Sequence, residues 1–391
     1  MRMTFKTTRP RPKLALWLFL AALTTSSQIL AADSEFFRLL APSTTVMTCL
    51  SPDGTVQWSN ACVGVTCTVQ TATNLLGDSI WFDYVRIPVS NPVMTTRLFD
   101  PDPPTNMAYI PAGVFTIGDP FAEGDPDEAV QQTIYVSGFW LDRYEVTGEL
   151  WQDVYNWAVG HGYGFDHTGS VKAARHPVNE VSWYDAAKWC NARSEREART
   201  PAYYTTPNLD IVYRTGTLDL SNQCVRWDAG GYRLPTESEW EKAARSGATG
   251  HRFPWRTNDT ITHAQANYYS TNYLGTNMLT YDISSTRGFH PDFATGDIPY
   301  TSPVGTFQPN DYGLYDMCGN VRQWCWDWWF FGSNYTDIAL VDPRGIDGAW
   351  LYRIMRGGAW NVLAYGDRAS YRGYGGPGIA TNFIGFRCVL K

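Results

Sequence analysis

At 391 residues the chain has room for two domains. With 44% hydrophobic, 18% charged and 15% aromatic residues, its composition is that of a folded globular protein and excludes a disordered or low-complexity chain. Its 31 basic and 38 acidic side chains give a net charge of −7, which leaves no electrostatic case for nucleic-acid binding.

Residues 1–32 carry Arg2, Lys6, Arg9, Arg11 and Lys13 and no acid, then the apolar run Leu14 to Leu23, polar Thr24 to Gln28, and Ala31-Ala32. This is the layout of a secretory signal peptide, with an apolar core too short to span a bilayer comfortably; an uncleaved anchor is the alternative. Without residues 1–32, 26 basic side chains face 38 acidic ones, a net charge of −12. No later segment has the length and apolarity of a membrane helix. The expectation is a secreted, periplasmic or cell-surface protein with no stable membrane insertion after cleavage. Export permits disulfides among the eight cysteines at 49, 62, 67, 190, 224, 318, 325 and 388. No Cys-x-x-Cys pair occurs, which argues against zinc.

From 33 to 98 the pattern is β-like: Thr55–Trp58, Val65–Gln70 and Trp81–Ile87 alternate or run β-branched and aromatic, with turn signals at Pro52-Asp53-Gly54 and Gly77-Asp78. A small β-rich, sandwich-like domain is expected there. It has no histidine and few acids, so no chemistry is assigned to it. Residues 99–104, Phe-Asp-Pro-Asp-Pro-Pro, read as a stiff linker, and a second domain spans 105–391. Within it Glu145–Val159 reads as an amphipathic helix capped by Thr147, with Leu150, Val154 and Trp157 on one face. A second helix has Ser182 as cap and Asp185 three residues on. A third begins at Thr236 with Glu239 completing a capping box. The acids Glu237, Glu239 and Glu241 lie on its early turns, where they complement the helix dipole. The remainder is strand and long Tyr-, Asn- and Gly-rich loop, without a repeat of fixed period.

The run from Asp311 to Trp329 concentrates aromatic rings, the thiols of Cys318 and Cys325, three aspartates and Asn320 into nineteen residues. Its centre, Gly319-Asn320-Val321-Arg322-Gln323-Trp324, resembles the Gly-Asn-Val-Trp-Glu-Trp signature of the sulfatase-modifying-factor (formylglycine-generating enzyme-like) domain. Further blocks agree in order: Ile110–Gly118, Tyr144-Glu145-Val146-Thr147, Gly230 to Arg245 with Arg233, Glu237 and Trp240, then Arg356-Gly357-Gly358-Ala359-Trp360, and Gly385-Phe386-Arg387-Cys388. Together with Asn320 and Trp324 these form the motif core, and the resemblance covers about 105–391. It implies an α+β, C-type-lectin-like fold with little regular structure.

The resemblance also says what chemistry to look for. In the formylglycine-generating members two cysteines shortly after the Arg-Gly-Gly-Ser block bind copper and oxidise a substrate cysteine, because copper(I) wants a soft thiolate pair. Here that interval runs from Asn361 to Arg372 with no cysteine, methionine or histidine. Copper is not expected, and no catalytic residue is assigned. A branch that couples sulfur compounds to histidine derivatives takes iron-binding histidines from an added helical domain; this chain's first histidine is His161. The six histidines (161, 167, 176, 251, 263, 290) form no metal spacing and read as loop residues.

Calcium is the cofactor the resemblance leaves open: at Asn320 in the signature block, and at Asn267 with the Tyr268 carbonyl. At the first, Gln323 stands where the family has Glu and Arg322 where it has Trp, removing one negative charge and adding a positive one. The resemblance further implies a disulfide between Cys190 and Cys388. Two functions follow as expectations. One is a non-catalytic binding or structural protein for a protein, peptide or glycan ligand, with the Tyr-, Gly- and Asn-rich loop 365–382 as an adaptable surface. The other is a divergent oxidase whose only thiols near the site are Cys318 and Cys325.

Overall fold

The computed structural model describes residues 29–32, 35–41, 45–51, 53–72, 81–100, 102–248, 250–329, 338–348 and 351–391. The leader reading falls on residues 1–28, outside the described ones, and on Ile29–Ala32, which form a strand here. The chain partitions between residues 96 and 97 into two compact units.

The first unit is all β. Strands β1 (Ile29–Ala32), β2 (Glu35–Leu40), β3 (Val46–Leu50), β4 (Thr55–Ser59), β5 (Thr66–Ala72), β6 (Phe82–Pro88) and β7 (Met94–Arg97) form two sheets. One runs β1-β2-β5-β6, antiparallel throughout; the other is β3-β4-β7. Alternation sets what is buried: Val56 and Trp58 in β4, and Cys67 and Val69 in β5, point inward while their neighbours do not. The turn signal at Gly77-Asp78 lies outside the described residues.

The second unit mixes short strands, three helices and long loops. It opens with β8 (Met107–Ile110), β9 (Gly113–Ile117), β10 (Gln132–Val136) and β11 (Phe139–Asp142), followed by α1 (Gly148–Val159), α2 (Trp183–Arg196) and α3 (Glu237–Arg245). The strands β12 (Tyr273–Leu274), β13 (Asn277–Met278), β14 (Arg322–Trp329), β15 (Tyr352–Arg356), β16 (Gly373–Gly375), β17 (Ile384–Gly385) and β18 (Val389–Leu390) complete it. The signature strand β14 is central in a sheet ordered β16-β15-β14-β17, antiparallel to β15 and parallel to β17. The chain end, β18, pairs with β11, so the last residues close on the first part of the unit.

Local sequence explains the helix starts. The Ser182 hydroxyl accepts the Asp185 N–H (3.1 Å), and the Thr236 hydroxyl accepts the Glu239 N–H (3.1 Å), each acid reaching back to its cap. Helix α1 begins three residues later than the periodicity suggests, at the Thr147 cap, because the Glu145 carboxylate turns inward to Asn320 and Val321. Its buried face is Trp151, Val154 and Ala158; Leu150 and Trp157 only flank it. The large Trp151 ring decides the rotation, stacking on Trp189 of α2 with centroids 5.8 Å apart and meeting Phe386 edge-on. Helix α3 is tied to β9 and β10 by Lys242. Its ammonium donates to the carbonyls of Pro111 (2.6 Å), Val136 (2.9 Å) and Gly113 (3.1 Å). Burial pushes its pKa down to about 7, but a neutral amine has only two hydrogens to give, and three carbonyls are served. The site holds the ammonium.

Candidate functional site

The signature motif enters β14 through a loop of forced backbone. Gly319 has φ of +81°, and a Cβ there would meet the Asn267 carbonyl oxygen at 2.4 Å, so only glycine lets the two strands approach. The next residue, Asn320, has φ of +64° and is wholly buried. Its amide bridges distant segments: Nδ2 donates to Glu145 Oε2 (2.8 Å) and the Ser302 carbonyl (3.3 Å), while Oδ1 accepts the Ser302 N–H (2.9 Å). In β14 itself every residue after Arg322 is buried. Trp324 Nε1 donates to the Val181 carbonyl (3.0 Å) and Trp326 Nε1 to Asn222 Oδ1 (2.8 Å), so the rings anchor their polar edges as well as filling the core.

Around this strand the motif arginines and glutamates form a buried lattice. Arg233 makes a two-pronged pair with Glu239, at 2.6 Å on each arm. Arg356 bonds Glu241 and the Ser370 and Tyr371 carbonyls, and lies 3.8 Å from Glu237. Arg372 grips Glu237 at 2.9 and 3.1 Å. Arg387 donates to Gln323 Oε1 (2.7 Å), which also accepts Trp240 Nε1 (2.6 Å). The α3 acids sit on the early turns, as their position suggests, and are also held by arginines: Glu239 by Arg233 just before the helix, Glu241 by Arg245 and the distant Arg356, and Glu237 by the distant Arg372. Gly358 belongs to the same joint, since a Cβ there would fall 1.8 Å from Asp367 Oδ1.

The interval after that block is where catalysis would reside. Asp367 is fully buried and neither carboxylate oxygen has a hydrogen-bond partner. Burial raises its pKa well above the usual carboxylate value, against the pull of Arg322. Arg322 is half-buried, lies over the Tyr371 ring at 5.4 Å, and its Nε has no hydrogen-bond partner. The thiol of Cys318 is pushed well up by burial, then by Asp367 and Asp316; burial also raises Cys325. Both cysteines are buried, and no Cys, Met or His lies between Gly358 and Cys388, so the residues present offer no open pair of soft ligands and do not fit that metal. The stretch 365–382 is less of a surface than its composition suggests. Arg368 is buried against Glu128 and Asp119, and Arg372 against Glu237, which leaves Tyr374 and the residues from 376 as its open part.

The two positions expected for calcium are not alike. Both ends of the Asn320 amide are occupied. At the second position Asn267 Oδ1 has no partner, but Asn267 Nδ2 donates to the Tyr300 carbonyl (2.9 Å) and the Tyr268 carbonyl faces His263 Nε2 (3.2 Å). Among the described residues no three His, Cys, Asp or Glu side chains converge on a metal position. Sequence reasoning missed Asp316, whose buried Oδ1 has no partner and whose Oδ2 accepts the Gly305 N–H (2.7 Å). No local signal marks it, since Asp311, Asn320, Gln323 and Asp327 share the same run. Burial lifts its pKa from 3.8 to about 6. A folded pKa above the unfolded one gives stability that is complete below 3.8 and lost as pH rises through about 6. Asp316→Asn, which keeps the Gly305 contact and tolerates the left-handed backbone, should gain on the order of 3 kcal/mol in alkaline buffer and nothing in acid. Urea melts of both proteins across pH check this; a gain independent of pH would refute it.

Cys190 on α2 and Cys388 beside β18 are both fully buried, with sulfurs 3.6 Å apart and unbonded. Of the histidines, His263 and His290 are hydrogen-bonded loop residues, as expected, and both are buried, with rings 4.9 Å apart.

Comparison with known proteins agrees with this architecture. The sequence profile of the sulfatase-modifying factor enzyme 1-like domain matches residues 95–391. Chaperone protein LppX of Paenibacillus barcinonensis is 32% identical over 62% of this chain and 76% of its own length. The formylglycine-generating enzyme of Streptomyces coelicolor is 30% identical over 72% of this chain and 87% of its own. Among solved structures, Treponema denticola variable protein 1 superposes with a TM-score of 0.53 at 26% identity, over 73% of this chain and 94% of that one.

Proposed function

The chain belongs to the sulfatase-modifying factor enzyme 1-like family, and from there we propose that it is an exported, non-catalytic binding member of it. One observation carries the reading. The interval that follows Arg356-Gly357-Gly358 contains no soft ligand, and Cys318, just before the signature Gly319, is buried. The oxidase chemistry of the family draws on a thiolate pair, and an oxidase here would have to use Cys318 and Cys325, neither of which reaches solvent. Relatives named as a chaperone and as formylglycine-generating enzymes are similarly close, so family membership leaves the activity open. The motif core survives in this reading because it holds the fold: its arginines and glutamates are consumed by one another. A protein, peptide or glycan would then be met by Tyr374 and the open residues from 376 to 382, with the half-buried Tyr371 beside them.

The deciding experiment incubates purified protein with copper and a sulfatase-derived cysteine peptide, then measures bound metal and aldehyde. Neither copper at one per chain nor formylglycine is expected. Aldehyde formation at a rate abolished by Cys318→Ser would overturn the proposal.

A further inference from the structure

The loop from 263 to 290, where the family resemblance looks for a calcium ion, carries its own cation. Asp282 is its buried carboxylate. The Tyr268 hydroxyl (2.7 Å), the Ser270 hydroxyl (2.9 Å), the Thr271 N–H (2.8 Å) and the Ser284 N–H (3.3 Å) all donate to it. Arg287 is the one cation in contact with it among the described residues: Nη1 reaches Asp282 Oδ1 (3.0 Å), the Ser270 hydroxyl (3.0 Å) and the Asp282 carbonyl (3.3 Å). A single guanidinium nitrogen thus touches three oxygens of two residues, the arrangement in which a hard cation gathers carboxylate, hydroxyl and carbonyl ligands. Two neighbouring carbonyls are covered as well, while Asn267 Oδ1 has no partner. His263 Nε2 covers the Tyr268 carbonyl, and His290 Nε2 donates to the His263 carbonyl (2.7 Å). The His290 ring holds that tautomer because its Nδ1 accepts the Asp292 N–H (3.2 Å).

We propose that Arg287 is the resident cation of this loop, holding Asp282 in place of a divalent ion, so that the domain is stable without calcium. The physical reason is charge balance. A carboxylate taken fully out of water needs a counter-charge, and a covalently attached one is present at any metal concentration. The inference does not depend on whether the protein is catalytic.

The test uses the full chain, melted with excess EDTA and with millimolar calcium. Wild-type Tm should be the same in both. Arg287→Gln should melt about 4 °C lower in EDTA, a shift typical for losing a charged contact in a domain of this size, and calcium should restore part of it. Arg287→Lys, which keeps the charge, should melt near wild type. Adding Asp282→Asn to Arg287→Gln should abolish the calcium response. A wild-type Tm that falls in EDTA, or an Arg287→Gln protein that calcium leaves unchanged, overturns the proposal.

Discussion

Arg356→Ala is expected to lower stability by about 3–5 kcal/mol, the range for breaking a buried ion pair from one side. Arg356 is fully buried between α3 and the loop before β16. Truncation takes from Glu241 its partner at Oε2, leaving Arg245 and the Gly118 N–H at Oε1, removes the nearby charge from Glu237, and strips the Ser370 and Tyr371 carbonyls of their donor. Each of those groups was desolvated on the understanding of a partner, so the cost is larger than the pair's own net worth. Arg356→Lys should recover little, since one ammonium cannot reach a carboxylate and two carbonyls in a planar fork. Urea denaturation measures it directly. A midpoint unchanged in Arg356→Ala would mean that the Arg-Gly-Gly block serves something other than the fold.

What the sequence discloses and what it hides divide by distance along the chain. The caps at Ser182 and Thr236 were readable because their partners sit three residues on. The ordered motif blocks were readable for another reason: each is a short run of unusual residues whose joint presence is improbable otherwise. The helix-start position of the α3 glutamates was readable, but the arginine partners of Glu241 and Glu237, Arg356 and Arg372, were not, lying 115 and 135 residues away. The structural partner of the Asn320 amide was hidden for the same cause, Glu145 lying 175 residues upstream. The face of α1 was misplaced by periodicity alone, which weighs Leu150 and Trp157 equally with Trp151. Packing does not, because one indole fits the Trp189–Phe386 gap and decides the rotation. Asp316 and Arg287 carry no local pattern and became meaningful only when their neighbours were in place.

Cys190 and Cys388 are expected to be joined when the protein is made in an oxidising compartment. The two sulfurs already touch at 3.6 Å, across 198 residues of chain. Their backbones are held from both sides. Cys388 N–H donates to Asp142 Oδ2 (2.9 Å), its carbonyl accepts the Asp142 N–H (2.9 Å), and Asp142 is clamped by Arg193, three residues after Cys190 on α2. A bond here would close by side-chain rotation instead of moving strands, so strain should take little from its benefit. For a loop of this length the chain-entropy account gives about 5 kcal/mol, the largest single effect anticipated for this protein. The alternative is a pair of buried thiols packed as small apolar side chains, with pKa pushed far up at Cys388 by burial and by its neighbour. Peptide mapping without reductant separates the two: a linked species containing both cysteines must appear, and dithiothreitol must lower the melting temperature. If both cysteines alkylate freely in unfolded, unreduced protein secreted to the medium, the bond does not form and Cys190→Ala should cost no more than a small cavity.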